Sequence, residues 1–98
     1  MNSKILIIYE YQILFEILDE IKESLNFKII QSNKNDYNKI EFDPKINYLT
    51  ISKEKVENID NSLVLENTSI KLEKLLEIIN INFLRIQFSN QSNIKIGK

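Results

Sequence analysis

The chain opens on a dense apolar run, Ile5 to Ile8, inside KILIIYE at 4–10. Successive strand residues point to opposite faces, so this run predicts a strand covered on both sides, as in a parallel sheet. The period then changes. In YQILFEILDEIKESL at 11–25, Leu14, Ile17, Leu18, Ile21 and Leu25 share one helical stripe, while Glu16, Asp19, Glu20 and Glu23 lie mostly off it. A helix with a solvated acidic surface is expected there. FKII at 27–30 reads as a second short strand. Strand, helix and strand in that order predict a β-α-β unit and an open α/β sheet.

The stretch QSNKNDYNK at 31–39 is polar and loop-like. Ile40, Phe42 and the single proline, Pro44, follow it. NYLTIS at 47–52 is the next strand and SLVLE at 62–66 the last. Their link, KEKVENIDN at 53–61, is shorter than the dozen or so residues of a usual parallel crossover, and at most one or two helical turns fit in it. Asn67, Thr68 and Ser69 offer N-cap side chains to a final helix from about 69 to 84. Its apolar stripe is Leu72, Leu75, Leu76, Ile79 and Phe83. The tail, IQFSNQSNIKIGK at 86–98, reads as strand, polar turn, strand, with the only glycine at Gly97 and the unopposed charges Arg85, Lys95 and Lys98. The expected fold is α/β: a small, mainly parallel open sheet of about four strands, flavodoxin-like but shortened, with two long helices. It occupies residues 1–85, and 86–98 is a linker or the start of another module.

Composition narrows the chemistry. A chain of 98 residues makes one domain with one modest core. The net charge of −1 gives no overall pull toward nucleic acid or an anionic membrane. There is no cysteine, so no disulfide framework, and no histidine, so neither the commonest general base nor the commonest zinc ligand. No stretch approaches the roughly 20 apolar residues that span a bilayer, and the apolar run beside Lys4 is too short for a signal peptide. The expected location is the cytoplasm. Isoleucine, asparagine and lysine dominate, alanine is absent and Arg85 is the only arginine. That skew reads as codon usage, so the asparagines at 33–38 are not a prion-like tract.

In open α/β sheets the loop after the first strand carries functional groups. Here it holds Tyr9, Glu10 and Tyr11, with one carboxylate and no glycine. A phosphate-cradling glycine loop is absent. Ser62 and Ser69 read as a strand edge and a cap. Tyr9, Tyr11 and Tyr48 read as packing at strand ends and a helix start, with stacking on a ligand as the competing use.

Placed in order, these pieces resemble a response-regulator receiver domain, of the class that carries a C-terminal winged-helix DNA-binding domain. KILIIYE matches the first receiver strand, NYLTIS the third, and SLVLENTSIKLEKLLEII the last strand and helix; IKIGK is similar to the first strand of a winged-helix module. The resemblance implies acidic residues after the first strand, where this chain has Tyr9 and Glu10. It implies a phosphorylated aspartate at the end of the third, where Ser52 stands, and a lysine followed by proline after the last, where Glu66 and Asn67 stand. The threonine-bearing fourth strand and its helices have no counterpart. Magnesium-assisted phosphotransfer needs one or two carboxylates on the metal and a cation on the phosphate. Glu10 alone, a serine without a base, and a glutamate in the lysine position do not supply them.

The resemblance therefore implies a receiver-like regulatory or dimerisation domain of a two-component transcription regulator that is not phosphorylated. Such a domain is not an enzyme, needs no cofactor or metal, and touches DNA only through a C-terminal domain absent from this chain. Its partners are a second copy or another protein, not a membrane. Two competing readings remain. One is a stand-alone small α/β interaction adaptor whose tail completes its own sheet and whose gene stops at Lys98. The other is an enzyme or ligand binder that uses Glu10, Ser52 and the tyrosines. Modification of Ser52 or Tyr11 is left open. With only the first and last helices present, the second sheet face is expected to be covered by 31–46 and 53–61 or by another chain.

Overall fold

In the computed structural model, residues 3–96 are described, with side chains over 3–89. Four strands form one sheet: β1 (Ser3–Tyr9), β2 (Lys28–Ser32), β3 (Ile46–Ser52) and β4 (Ser62–Val64). The order is β2-β1-β3-β4 and every pairing is parallel. This is the small, parallel, four-stranded α/β sheet expected from the sequence. Three helices accompany it: α1 (Gln12–Glu20), α2 (Lys34–Tyr37) and α3 (Leu72–Ile96).

The register sorts the side chains. Leu6 pairs with Leu49 and Ile8 with Ile51, so these four share one face, and Leu63 joins them from β4. α1 and α3 cover this face. Leu14 and Leu18 from α1 pack with Leu75, Ile79, Phe83 and Ile86 from α3 in a single core. Phe27 meets Phe83 with ring centroids 5.6 Å apart, and the Lys4 ammonium sits 5.8 Å from the Phe83 centroid. Most of each predicted stripe is therefore the core stripe. Ile17 lies outside that cluster, and Leu72 is exposed at the helix start.

The other face is covered without a long helix. Ile7, Thr50 and Ser52 are buried there, and Tyr9 almost so. Two connections do this. Residues 33–45 carry Tyr37, whose ring packs edge-on against Tyr9 at 5.8 Å. Residues 53–61 place the half-buried Val56 and Ile59. The expectation that loops or another chain cover the second face is met by these loops at its centre, where Ile7 and Thr50 are buried, whereas Ile30 of β2 and Val64 of β4, on the same face, stay exposed.

Several elements differ from the sequence reading. The helix expected over 11–25 ends at Glu20. Ile21 leaves helical geometry (φ −116°, ψ 16°) and a 3-10 turn, Lys22–Ser24, follows. The supposed loop at 31–39 contains one helical turn, α2, capped by the Asn33 side chain, which accepts the Asp36 N–H at 2.8 Å. Asn67 does not cap α3. It accepts the Ser69 N–H at 3.0 Å in a local turn, and the helix begins at Leu72. The crossover at 53–61 contains no helix, and Asn58 and Asn61 take left-handed φ of 65° and 54° to complete it.

The largest correction concerns the tail. Residues 86–96 are not strand, turn and strand; they continue α3 without a break to Ile96. Ile86 is buried in the core as the next residue of the Phe83 stripe. Ile94 to Ile96 of the supposed winged-helix strand are helical, and Gly97 and Lys98 lie outside the described residues. Among the described residues, no helix is long and apolar enough to cross a membrane.

Candidate functional site

The strand order reverses between β1 and β3, and crevices at such switch points, beyond the strand C-termini, are where open α/β sheets bind ligands. Tyr9 and Ser52 are the last residues of β1 and β3 and face each other in register. With Glu10 they line a shallow cleft of about 250 Å³, closed on one side by Lys53, Glu54, Lys55 and Val56. The fold thus brings together three of the four positions singled out from the sequence. Glu66 is not among the residues of that cleft; it is exposed beyond β4.

The groups in the cleft are already engaged. Glu10 turns the chain in the left-handed region, φ 47°, without the glycine such a turn favours. Its N–H donates to the Ser32 carbonyl at 2.9 Å, and its carboxylate accepts the Lys34 N–H at 3.0 Å at the start of α2. Glu10 is therefore a structural clip between β1, β2 and α2. Ser52 is buried, and its hydroxyl donates to the Glu54 carbonyl at 2.6 Å. No base within this hydrogen-bonded arrangement draws the proton off that hydroxyl. Burial first, then the charge of Glu10 and the neighbouring Tyr37, hold the Tyr9 phenol above its ordinary pKa. Among the described residues no group of three or more histidine, cysteine, aspartate or glutamate side chains is placed to hold a metal.

Tyr11 behaves as packing. Its ring is buried in the core, burial raises its pKa, and its hydroxyl donates to the Leu65 carbonyl at 2.7 Å. That bond ties the start of α1 to the end of β4. Tyr48 also has a structural partner, since its oxygen accepts the Asp43 N–H at 3.0 Å.

Sequence reasoning missed two features. The first is an outward apolar stripe on α3: Ile81, Leu84 and Phe88 are 42%, 52% and 65% exposed. They recur at helical spacing on the side away from Leu75, Ile79, Phe83 and Ile86. The spacing was present in the sequence, but a helix ending at 84 and a strand at 86 separate Leu84 from Phe88. The second is an aromatic cleft on the second sheet face beside β3, lined by Tyr37, Phe42 and Tyr48. Those residues come from three different segments, and no local pattern joins them.

Comparison with protein-family models, with curated proteins and with solved structures finds no match to this chain.

Proposed function

We propose that this chain is a non-enzymatic, receiver-like regulatory domain that works by pairing with a second copy of itself through the outer face of α3. The observation that carries the reading is the exposed stripe Ile81, Leu84 and Phe88, on a helix whose opposite side is already the core stripe. A helix apolar on both sides is one that is buried on both sides in its working state.

The charges flanking the stripe fit a second copy. Glu77 and Arg85 lie four residues before and four after Ile81. An antiparallel pair with its two-fold axis at Ile81 sets Glu77 level with the partner's Arg85, Ile78 level with the partner's Leu84, and Lys74 level with the partner's Phe88. Opposite charges meet, apolar side chains meet, and a lysine stem lies along a phenyl ring. Glu77 pairs with Lys74 at 3.5 Å in the single chain, an exposed contact worth under about 1 kcal/mol and readily exchanged. A chain of net charge −1 also meets little self-repulsion.

The receiver-like part of the reading is supported by the parallel 2-1-3-4 order and by the position of Glu10 and Ser52 at the switch point. A role without phosphotransfer is supported by the engagement of both side chains in backbone hydrogen bonds. One observation favours the stand-alone adaptor as a second reading: residues 86–96 extend α3 rather than opening a strand of another module. The reading frame downstream of the Lys98 codon separates the two.

The self-association is tested by sedimentation velocity across a concentration series reaching tens of micromolar. The expected result is a mass that rises toward twice that of the chain, and a Leu84→Asp variant that stays monomeric. A monomer mass that does not change with concentration overturns the proposal.

A further inference from the structure

β4 stops short of its neighbour. It pairs only with Thr50 to Ser52, so the Ile46–Leu49 part of β3 has no strand on that side. Along a parallel ladder every second residue turns its N–H and C=O toward the same neighbour. Toward β4 these residues are Thr50 and Ser52. The Thr50 N–H donates to the Asn61 carbonyl at 3.0 Å, and the Ser52 carbonyl accepts the Leu65 N–H at 2.9 Å. The next residue in line is Tyr48. Among the described residues, no backbone bond from β4 or from 53–61 reaches its N–H or its carbonyl. The connection before β4 takes left-handed φ of 65° at Asn58 and 54° at Asn61. Residues with a side chain adopt that region at a cost, and here it turns the chain away from β3 where the ladder would otherwise run on.

The gap is open through the sheet. A cleft of about 330 Å³ lies beside Tyr48 on the second face, and one of about 270 Å³ lies beside Leu49 on the first. Ile86 and Asn61 line both. Ile86 belongs to α3, which covers the first face, so it lines a cleft on the second because no strand stands between them. Burial shows the same missing neighbour: Ile46, Asn47 and Tyr48 are half-buried, whereas Leu49 to Ser52 are buried.

The unmet groups say what fits. An N–H and a C=O spaced for a ladder are matched by the backbone of another extended chain, the mode by which a peptide adds a strand to a sheet edge. Pleating then sets its side chains. The residue level with Tyr48 points to the second face, where the packed rings of Tyr37, Phe42 and Tyr48 form a wall. Asp60 lines that cleft and no lysine or arginine does, so a basic side chain with a long apolar stem is the complement. The residues on either side of it point to the first face and meet Ile86, which favours apolar side chains there.

We infer that the gap beside Ile46–Leu49 receives a short extended peptide as an added strand in line with β4, paired to the backbone of Tyr48 and carrying a basic residue between two apolar ones. This surface is separate from the outer stripe of α3 and does not depend on self-association.

The test combines amide hydrogen exchange with an NMR titration of the full chain, using the end-blocked peptide Thr-Val-Lys-Val-Thr. In the free chain the Tyr48 amide is expected to exchange faster than that of Thr50, and to slow by roughly tenfold with the peptide bound. The same peptide N-methylated at its lysine and at the valine after it lacks the donor that either strand direction needs, and is expected to leave the signals of 46–49 unmoved. Glutamate in place of the lysine is expected to weaken binding roughly fivefold. Asp60→Lys is expected to reverse that preference. Asp60 is exposed, so an unchanged melting temperature confirms that the variant folds. A Tyr48 amide as protected as that of Thr50 in the free chain overturns the inference. So does equal binding of the N-methylated peptide, a preference for lysine that survives Asp60→Lys, or the absence of shifts at 46–49 and 58–61 up to millimolar peptide.

Discussion

Tyr9 and Tyr11 follow each other closely in sequence yet meet opposite faces of the sheet, one against Tyr37 and the other in the helical core. Both phenols are held in the protonated form, Tyr9 by burial and the charge of Glu10, Tyr11 by burial. A pKa raised in the folded state means that the native chain keeps protons the unfolded chain has lost. The linked stability is therefore complete below the ordinary tyrosine value of 10.0 and falls as pH rises through the higher folded values. The melting temperature is expected to fall above pH 10, with the tyrosinate absorbance of these two residues appearing late. Tyr11→Phe is expected to remove one late step. An absorbance titration identical in the variant and the parent rules out this assignment. Glu10 makes the complementary point about residue identity. Read as a leftover metal ligand, it is a backbone clip, and only the distance to the Lys34 N–H reveals that.

At the scale of elements, α3 carries two stripes of different use. Ile79 is fully buried, whereas Leu84 faces outward. Ile79→Ala is expected to lower the stability of the chain by about 2–5 kcal/mol, the range for removing a packed aliphatic side chain. Leu84→Ala is expected to change it by under about 0.5 kcal/mol in the monomer. Urea denaturation below the association range distinguishes them, and equal costs at the two positions contradict the division of the helix. The core stripes were legible in the sequence because periodicity reports directly on burial: Leu14, Leu18, Leu75, Ile79 and Phe83 were all marked by spacing alone. The strands were legible because Ile5 to Ile8 and NYLTIS have no helical period. The end of α3 was not. Residues 86–96 alternate apolar and polar positions well enough to read as strand, yet they are helical, and the first of them, Ile86, is buried in the core with Phe83. Tertiary contact overrode a local pattern there. The engagement of Ser52 was equally hidden, since a hydrogen bond to the Glu54 carbonyl leaves no mark on residue type.

At the scale of the molecule, the pairing proposed for α3 places Glu77 and Arg85 in reciprocal positions. Arg85→Glu is expected to weaken self-association, because each Glu77 then faces a like charge. The double variant Glu77→Arg with Arg85→Glu is expected to restore it, since the pair is reversed but still complementary. Sedimentation of both variants checks this, and a double variant as weak as the single one excludes the antiparallel register. The sheet itself also sets an order of assembly. β1 and β3 are the two central strands, β1 between β2 and β3 and β3 between β1 and β4. β2, the partner of β1, follows after a single helix, whereas β3 arrives only after 33–45 have been made. As the chain leaves the ribosome, β1, α1 and β2 are able to close first, as a unit of short loop length. That unit exposes Leu6, Ile8, Leu14 and Leu18 until α3 lays Leu75, Ile79 and Phe83 over them. α3, which follows every strand of the sheet in sequence, is thus the lid of the core, and a ribosome stalled before it leaves behind an open, adhesive half-domain.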